Sequence, residues 1–342
     1  MSTTATETSA NRQPKHLAIV GATGAVGVEM LRVLERRNFP IASLRLLASP
    51  RSAGKKLLFR GDDIVVEALS ADSFSGIDIA LFSAGGGISK EYAPYAVKAG
   101  AVVIDNSSAF RMDPKVPLVI PEINGADISG HSGIIANPNC TTAITLMALN
   151  PLHQAFGLKR IIASSYQAVS GTGARAIEEL RDQVAAISAD APVVKEVYPH
   201  QIAFNVLPHV DSFLENGYTR EEMKMQHEGR RILHLSGLNA SVTCVRVPVY
   251  RAHSVAVTAE FENPVSLAKA REVLGSAPGV RLHDDPETAT YPMPIEVTGE
   301  DDCRVGRLRL DCALDNALSF WVCGDQLLKG AALNAVQIAE LL

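Results

Sequence analysis

Apolar positions recur with two different periods along the first third of the chain. A short apolar run at residues 16–20 leads into the turn Gly21-Ala-Thr-Gly24-Ala-Val-Gly27, after which apolar side chains recur at helical spacing over residues 28–35. The order repeats in strand-like runs at 44–48, 64–68, 77–82 and 101–105 and in a helix at 89–99. Such alternation predicts a parallel sheet whose strands are joined by right-handed crossovers.

The second half of the chain has a different pattern. A strand from residue 159 ends near Gln167 in a glycine-rich turn, and a helix at 174–186 and a long loop at 187–217 follow. Thr219 and Glu222 have the spacing of a capping box, which predicts a helix running to Leu233. The remaining strands are predicted at 242–249, 255–261, 308–314 and 318–323. Antiparallel strands with helices on one face indicate an α+β catalytic domain.

We therefore predict an α/β protein with an N-terminal Rossmann-type parallel sheet at 14–137 and a catalytic domain at 138–326. A C-terminal helix at 327–342 is long enough to pack back on the first domain, and residues 1–13 are predicted to be a disordered tail. The length of 342 residues agrees with two domains.

Composition excludes several classes of protein. The chain is 47% hydrophobic and 20% charged, which excludes disordered and fibrous proteins. A net charge of −5 without a basic block argues against nucleic acid as a partner, and no apolar run is long enough for a membrane span. Five cysteines without a Cys-x-x-Cys pair favour a reducing cytoplasm over disulfides or a metal site.

The glycine turn after the first strand is suited to binding the pyrophosphate of a dinucleotide. Its glycines let a phosphate approach the backbone N–H groups at a helix N-terminus, although the spacing differs by one residue from the commoner fingerprint. No acidic residue follows the second strand, where NAD-binding proteins hold the ribose. Arg51 and Ser52 lie there instead and can bind a 2′-phosphate, which favours NADP, whereas the alternative is a solvated basic loop.

Cys140 is the candidate nucleophile. Pro138 disfavours helical geometry at Asn137, so a helix can begin only just after it and Cys140 should lie at a helix N-terminus. Unpaired N–H groups and the helix dipole favour a thiolate there. The alternative is an inert buried cysteine, which is the commoner case for any single cysteine.

Other polar residues follow strand ends or interrupt apolar segments. Arg246 lies within an apolar strand and needs an anion, which can be a protein carboxylate or a ligand. His253, Gln167 and Arg111 can each be structural or surface residues instead of site residues. Glu221 and Lys224 share a helix face, where a solvated ion pair is the simpler interpretation.

A reactive cysteine, a nicotinamide site, a histidine and several cationic residues suit an aldehyde that is oxidised through a thioester. The motifs that carry this set are Gly-Ala-Thr-Gly-Ala-Val-Gly (21–27), Asn-Ser-Ser-Ala-Phe-Arg (106–111), Asn-Pro-Asn-Cys-Thr-Thr (137–142), Ser-Tyr-Gln-Ala-Val-Ser-Gly-Thr-Gly (165–173), Glu-Glu-Met-Lys-Met (221–225) and Arg-Val-Pro-Val-Tyr-Arg-Ala-His-Ser (246–254). With these six blocks in order, the chain resembles the aspartate-semialdehyde dehydrogenase family from about residue 15 to its end.

The resemblance implies an NADP-dependent, phosphorylating conversion between L-aspartate 4-semialdehyde and L-aspartyl 4-phosphate. This reaction is a step toward lysine, threonine, methionine, isoleucine and diaminopimelate. The resemblance also implies a homodimer or a dimer of dimers.

The same resemblance implies roles for individual residues. The catalytic residues would be Cys140 as nucleophile, His253 as general acid/base and Gln167, which holds the acyl end. The substrate-binding residues would be Arg246 for the α-carboxylate, Glu221 for the α-amino group, and Arg111, Lys224 and Asn139 around the phosphate. The cofactor-binding residues would be Gly21, Thr23, Gly24, Ala25, Val26 and Gly27 at the pyrophosphate, Arg51 and Ser52 at the 2′-phosphate, and Ser170, Gly171 and Gln326 at the nicotinamide.

Two alternatives stay open. A sister reductase acting on N-acetylglutamyl phosphate shares the domain plan and the thioester chemistry, but the 221–225 and 246–254 blocks disfavour it. A non-catalytic NADP-binding sensor or scaffold could keep the same fold, and the complete set of Cys, His, Gln and Arg positions argues against it.

Overall fold

The computed structural model of the chain describes residues 13–342, so the predicted tail lies outside the described residues except for Gln13. The elements up to residue 138 are β1 (Lys15–Val20), α1 (Ala25–Arg36), β2 (Ile41–Ala48), β3 (Lys56–Phe59), β4 (Asp62–Ala68), β5 (Ile79–Phe82), α2 (Gly86–Lys98), β6 (Val102–Asp105), α3 (Pro121–Asn124) and β7 (Ile134–Ala136). Those that follow are α4 (Cys140–Phe156), β8 (Leu158–Gln167), α5 (Ala174–Ser188), α6 (Arg220–Ile232), β9 (Asn239–Arg246), β10 (His253–Phe261), α7 (Leu267–Ser276), β11 (Val280–Leu282), α8 (Pro294–Val297), β12 (Cys303–Leu310), β13 (Ala317–Gly324) and α9 (Leu333–Ala339).

The chain forms two compact units. The first comprises the described residues up to Pro121, Gly125–Pro138 and Ala331–Leu342, and the second comprises Glu122–Asn124 and Asn139–Gly330. The domain limits predicted from the sequence, 14–137, 138–326 and 327–342, stay a prediction.

The first unit contains a seven-stranded sheet with the order β3-β4-β2-β1-β5-β6-β7. All neighbouring strands are parallel except β3 and β4. The apolar half of β1, residues 17–20, is fully buried because strands flank it on both sides and helices cover the sheet. The predicted parallel sheet is therefore confirmed.

The segment Ala331–Leu342 completes the first unit. The Asn334 side-chain amide donates to the carbonyl of Val119 at 2.9 Å and to Oδ1 of Asn137 at 2.6 Å. Arg37 at the end of α1 forms a two-pronged ion pair with Glu340, at 2.7 and 2.6 Å. Hydrogen bonds and an ion pair thus attach this late segment to residues that precede it by more than 190 positions in sequence.

The second unit contains a six-stranded sheet with the order β11-β12-β13-β10-β8-β9. The sheet is mixed and not antiparallel throughout, because β9 runs parallel to β8 and β11 runs parallel to β12. Gln167 at the end of β8 is paired in register with Arg246 at the end of β9, and Ser254 of β10 faces Tyr166 of β8. Because β10 begins at His253, the residue before Ser254, register places Gln167, Arg246 and His253 at the same end of three neighbouring strands.

Two predictions of secondary structure need correction. The C-terminal helix is not continuous over 327–342, because a π-helical stretch, Leu328–Ala332, precedes the short helix α9. Helix α7 and strand β11 are missing from the predicted elements, although Leu267, Ala270 and Leu274 recur at helical spacing. Among residues 13–342, no helix is both long enough and apolar enough to cross a membrane.

Candidate active site

The candidate nucleophile is the first residue of α4. Asn139 is the N-cap of this helix, and its side-chain oxygen accepts a hydrogen bond from the N–H of Thr142 at 3.0 Å. Cys140 is partly exposed, whereas Cys244, Cys303 and Cys323 are buried. The predicted placement of Cys140 at a helix start therefore agrees with the structure.

Glu221 of α6 joins the start of α4 to the end of β8. Its Oε1 accepts hydrogen bonds from Asn139 Nδ2 at 3.0 Å and from Gln167 Nε2 at 3.1 Å, and its Oε2 lies 2.7 Å from Lys224 Nζ. Burial raises the pKa of Glu221, but the charge of Lys224 and these hydrogen bonds outweigh burial and lower the pKa to about 2. The carboxylate is therefore ionised and holds two predicted site residues in place.

The backbone of Ala168 holds two further candidates. Its carbonyl accepts a hydrogen bond from Arg246 Nη1 at 2.7 Å, and its N–H donates to His253 Nδ1 at 3.0 Å. Because Ala168 directly follows Gln167, the end of β8 organises the side chains of Gln167, Arg246 and His253 together. This arrangement brings a cation, an imidazole and an amide to one edge of the sheet.

His253 and Arg246 are both buried, and each keeps one polar atom without a hydrogen-bond partner among the described residues, Nε2 of His253 and Nε of Arg246. Burial and the neighbouring Arg246 charge lower the pKa of His253 to about 3, against a smaller opposing effect of Glu221. Buried polar groups without a protein partner are uncommon and are suited to a ligand. The histidine is thus neutral at physiological pH.

Two glycines adjoin the candidate catalytic side chains. A Cβ on Gly171 would lie 3.0 Å from Arg246 Nη1 and 3.1 Å from His253 Cε1, and a Cβ on Gly330 would lie 2.6 Å from Cys140 Cβ. Gly171 belongs to the 3₁₀ turn Val169–Thr172, and Gly330 belongs to the π-helical stretch. A Cβ at Gly330 would force Cys140 or its own backbone to shift, and a Cβ at Gly171 would push Arg246 and His253 by a few tenths of an ångström.

Gln326 connects the turn after β8 to the residue before His253. Its Oε1 accepts from the N–H of Ala252 at 2.8 Å, and its Nε2 donates to Ser170 Oγ. Ala252 is buried and has a φ of +71°, a conformation that costs a residue with a Cβ about 1–2 kcal/mol. Arg251 is held by Asp325 at 2.6 Å. Gln326, assigned to the nicotinamide from the sequence, therefore also stabilises the backbone that carries His253.

In the first unit, the turn after β1 packs tightly. Gly21 has a φ of +86°, and a Cβ there would lie 2.4 Å from the carbonyl oxygen of Ser83, while a Cβ on Gly27 would lie 2.3 Å from the Gly21 oxygen. Gly24 is the N-cap of α1, and no side chain caps that helix. The predicted pyrophosphate residues 21–27 thus form a close-packed turn that ends at an uncapped helix N-terminus.

The predicted 2′-phosphate residues lie beside this turn. Arg51 and Ser52 form a 3₁₀ turn after β2, and Thr23 Oγ1 lies 3.4 Å from Ser52 Oγ. The donor set is therefore two hydroxyls and an exposed guanidinium, without a carboxylate in residues 49–56. Hydroxyl and guanidinium groups of this kind can bind a phosphate group.

The two predicted phosphate-binding cations, Arg111 and Lys224, belong to different units. Arg111 belongs to the first unit and is buried, and its guanidinium donates to the carbonyls of Asn137 at 2.8 Å and Asn106 at 2.7 Å. Lys224 belongs to the second unit, with Asp211 Oδ2 at 3.2 Å in addition to Glu221. Each cation therefore has protein partners.

Sequence reasoning did not find Glu228 or the role of Ala168. Glu228 of α6 is buried and accepts the Asn139 N–H at 2.7 Å, so it holds the backbone directly before Cys140. The sequence could have indicated Glu228, because it lies seven residues after Glu221 and therefore shares its helix face. Ala168 binds Arg246 and His253 through its backbone, so the identity of its side chain does not indicate this role.

Comparisons with known proteins agree with this picture. Residues 16–131 match a family model described as semialdehyde dehydrogenase, NAD binding domain, and residues 149–329 match one described as semialdehyde dehydrogenase, dimerisation domain. The chain is 54% identical over 330 residues to an aspartate-semialdehyde dehydrogenase of Aquifex aeolicus, with 95% of this chain and 97% of the relative covered. It is 50% identical over 335 residues to one of Bacillus subtilis, with 96% and 97% covered.

A solved structure is also closely similar. It is the crystal structure of aspartate semialdehyde dehydrogenase II from Vibrio cholerae complexed with ASA, which superposes with a TM-score of 0.94 at 44% identity and covers 97% of this chain and 98% of that chain. The predicted fold class, with a Rossmann-type domain followed by an α+β domain, is confirmed by this likeness and by both sheets.

Proposed function

The chain belongs to the aspartate-semialdehyde dehydrogenase family, and from this premise we propose that it interconverts L-aspartate 4-semialdehyde and L-aspartyl 4-phosphate through a thioester on Cys140. One observation carries the proposal. The network from Asn139 through Glu221 to Gln167, together with the backbone of Ala168, holds the helix start, an anion-seeking guanidinium and an imidazole within one unit.

The substrate aldehyde has a carboxylate and an ammonium group that need partners. Arg246 supplies a buried guanidinium whose Nε has no partner among the described residues, and a planar fork of this kind binds a carboxylate in two places. Glu221 is ionised and buried, so its negative charge complements the ammonium group. Gln167 would hold the acyl end of the substrate, and Asn139 would lie near the phosphate. These are the roles that the family resemblance implies for the four residues.

Cys140 then reacts with the bound carbonyl. The thiolate adds to the aldehyde carbon, and loss of hydride from the resulting alkoxide leaves a thioester on the cysteine. Phosphate attacks the thioester and releases aspartyl phosphate. Arg111 and Lys224 are the proposed phosphate-binding cations, and each has its protein partners as described above. In the biosynthetic direction the same steps run in reverse order.

The cofactor proposal is NADP in place of NAD. A bound NADP would accept hydride in the oxidative direction and supply it in the biosynthetic one. Arg51 and Ser52 would hold its 2′-phosphate, Gly21, Thr23 and residues 24–27 its pyrophosphate, and Ser170, Gly171 and Gln326 its nicotinamide end. The support is the chemistry of the donor set beside Thr23 and the uncapped N-terminus of α1.

The proposal also covers the oligomeric state, the cellular compartment and the pathways that use the product. The family model of residues 149–329 supports a homodimer, and a dimer of dimers is the finer proposal. A reducing cytoplasm is the proposed compartment, because the five cysteines include no Cys-x-x-Cys pair. We further propose that the product feeds lysine, threonine, methionine, isoleucine and diaminopimelate synthesis.

The decisive experiment is an assay of NADPH formation from L-aspartate 4-semialdehyde with and without phosphate. We expect sustained turnover only with phosphate, and a single burst of at most one equivalent per Cys140 without it, because the thioester then persists. N-acetylglutamate semialdehyde in the same assay separates the sister reductase. Absence of turnover with both aldehydes would favour the non-catalytic alternative.

A further inference from the structure

Lys224 of α6 lies between two carboxylates. Its Nζ is 2.7 Å from Oε2 of Glu221 and 3.2 Å from Oδ2 of Asp211. The Glu221 side chain is only 7% exposed, whereas the Asp211 side chain, in the loop before α6, is 36% exposed. The ammonium group therefore has one carboxylate partner in the interior and a second one on its solvent side.

The loop that carries Asp211 is anchored at both ends. Leu207 exchanges two backbone hydrogen bonds, of 2.9 and 2.8 Å, with Arg246 at the end of β9. Phe213 pairs in the same antiparallel way with Thr219, the N-cap of α6. Both anchors therefore adjoin proposed substrate-binding residues, and they fix where the Asp211 carboxylate lies relative to α6.

The backbone at Asp211 adopts an unfavourable conformation. Its φ is +70°, in the left-handed region that costs free energy for any residue with a Cβ. Its Oδ1 accepts the N–H of Ser212 at 2.7 Å, a local hydrogen bond that makes this region accessible to Asp and Asn. The rings of His209 and Phe213, on either side of it, stack with their centroids 4.4 Å apart. Strained residues cluster at functional sites, and here the strained residue places its second carboxylate oxygen, Oδ2, against Lys224.

An anion that approaches Lys224 from solvent meets the Asp211 carboxylate first. Inorganic phosphate is an anion at neutral pH, and like charges about 4–6 Å apart repel each other. The Asp211 contact is the easier of the two to break, because water can solvate this exposed carboxylate. Loss of the other contact would leave Glu221 as a buried charge without its cation. Phosphate binding at Lys224 therefore competes with Asp211 and not with Glu221.

We propose that Asp211 is an internal competitor for phosphate, whose carboxylate pairs with the solvent side of Lys224 and thereby weakens phosphate binding there. The proposal rests on the proposed function, in which Lys224 is a phosphate-binding cation. Asp211 is a positioning residue, since it acts through Lys224 and has no contact of its own with the substrate.

Such a competitor assists the release of phosphate in the biosynthetic direction. There the Cys140 thiolate attacks the acyl phosphate, the C–S bond forms, and the C–O bond to phosphate breaks with its electron pair leaving on phosphate. The released anion can leave Lys224 without exposing an unpaired ammonium group, because Asp211 takes its place. In the oxidative direction the same carboxylate raises the phosphate concentration that the enzyme needs.

The first test measures the Kd of inorganic phosphate for the full chain by equilibrium dialysis at low ionic strength. Asp211→Asn removes the charge but keeps an Oδ1 acceptor and tolerates the positive φ. We expect phosphate to bind at least about fivefold more tightly, since one unit charge about 4 Å away has an effect of this order even in water. Glu215→Gln, at an exposed carboxylate in the same loop, is the control and should bind phosphate like the wild type. Unchanged or weaker binding in Asp211→Asn, or an equal gain in the control, would overturn the proposal.

The second test separates competition from a structural role. In initial-rate kinetics Asp211→Asn should lower the KM for phosphate and leave the KM for the aldehyde unchanged, and the gain should shrink at about 1 M salt because salt screens the repulsion. In a Lys224→Met background the same substitution should change nothing. Asp211→Gly, in which the residue has no Cβ to strain, should show the same gain as Asn. A rise in both KM values in the folded variants, or a gain that persists without Lys224, would refute the competitor role.

The two proposals fail in different ways. If Asp211→Asn binds phosphate no more tightly while the wild type turns over aspartate semialdehyde with phosphate, the proposed function stands and the competitor role fails. If the variant binds phosphate more tightly but the wild type oxidises no aldehyde, the proposed function fails and the competition at Lys224 stands. Circular dichroism of each variant confirms that the fold is kept.

Discussion

Single atoms limit which residues the candidate site tolerates. Gly171 and Gly330 lie where one methyl group would reach Arg246, His253 or Cys140. Neither glycine needs to bind anything to be essential, since the backbone alone fills the available space. At this scale, the shape of the site depends on the absence of side chains as much as on their presence.

We predict that Gly171→Ala lowers kcat/KM for aspartate semialdehyde by at least about tenfold, because a shift of a few tenths of an ångström at both Arg246 and His253 disturbs near-attack geometry. Steady-state kinetics and thermal unfolding measure the change. The matched control is Gly275→Ala in α7, where a Cβ meets nothing within 4 Å. The control should keep full activity. Unchanged kinetics in Gly171→Ala would contradict the tight contact.

Cys140→Ser should abolish most turnover and leave the fold intact, because a serine hydroxyl is not ionised at neutral pH. Cys312→Ser is the control, since Cys312 is exposed and free and belongs to no proposed site. In that background, iodoacetamide should label Cys140 before Cys244, whose burial raises its pKa to about 12. Wild-type turnover in purified Cys140→Ser would refute the nucleophile assignment.

Arg51→Ala should raise the KM for NADP by at least about tenfold, which corresponds to about 1.4 kcal/mol for one charge-assisted contact. The KM for NAD should change little, because NAD lacks the 2′-phosphate that Arg51 and Ser52 are proposed to meet. Both values come from initial rates at saturating aldehyde. A rise of equal size for both cofactors would count against the assignment.

At the scale of elements, α6 illustrates how one helix serves the site twice. Its predicted capping box is present, with Glu222 accepting the Thr219 N–H at 2.7 Å and also the Cys244 N–H at 2.9 Å. Two turns apart on its buried face, Glu221 and Glu228 hold the side chain and the backbone of Asn139. The helix therefore fixes the N-cap of α4.

Glu228→Ala should destabilise the second unit by about 1–3 kcal/mol, because the buried N–H of Asn139 loses its acceptor. Glu228→Gln keeps an acceptor oxygen and should lose less. Thermal unfolding measures stability, and the rate of Cys140 alkylation reports on the helix start. Glu215→Ala, which removes an exposed carboxylate before α6, is the control and should match the wild type. Equal stability in Glu228→Ala would refute the role.

Other elements show what periodicity could not predict. The π-helical stretch Leu328–Ala332 has the same apolar pattern as an α-helix, so the sequence predicted one continuous helix. Within it, Gly330 lies where a Cβ would be 2.6 Å from the Cβ of Cys140, and apolar periodicity alone does not reveal such a contact. Parallel pairing of β9 with β8 was also missed, because register and direction depend on the connection through α6.

At the scale of the whole molecule, the prediction succeeded where local chemistry dictates structure. Pro138 before a helical pattern was enough to place Cys140 at a helix start, and strand–turn–helix order was enough to predict the first sheet. The prediction that Gln167, Arg246 and His253 belong to one site rested on the family motifs. The Ala168 peptide, which binds Arg246 and His253, could not be predicted from the sequence, since every residue has the same backbone groups.

The stability of the chain should fall in acid in two stages. The pKa of His253 is lowered to about 3 and that of Glu221 to about 2, so below their ordinary values of 6.5 and 4.5 the unfolded chain binds more protons than the folded one. Both contributions are complete above these ordinary values. They are lost as pH falls from 6.5 toward 3 and from 4.5 toward 2.

Thermal unfolding from pH 8 to 4 tests this prediction. The wild type should lose on the order of a few kcal/mol over the upper stage, and His253→Gln should remove that part of the slope. Glu221→Gln should alter only the portion below pH 4.5. A wild-type midpoint that is constant between pH 7 and 5 would contradict the neutral, buried state of His253.

The attachment of Ala331–Leu342 to the first unit has a consequence for biosynthesis. A ribosome makes this segment only after residues 139–330, which at about 5–20 residues per second takes on the order of ten to forty seconds. Throughout that interval the nascent first unit lacks the amide of Asn334 and the carboxylate of Glu340. Chaperones should therefore meet an emerging chain whose first unit is completed last.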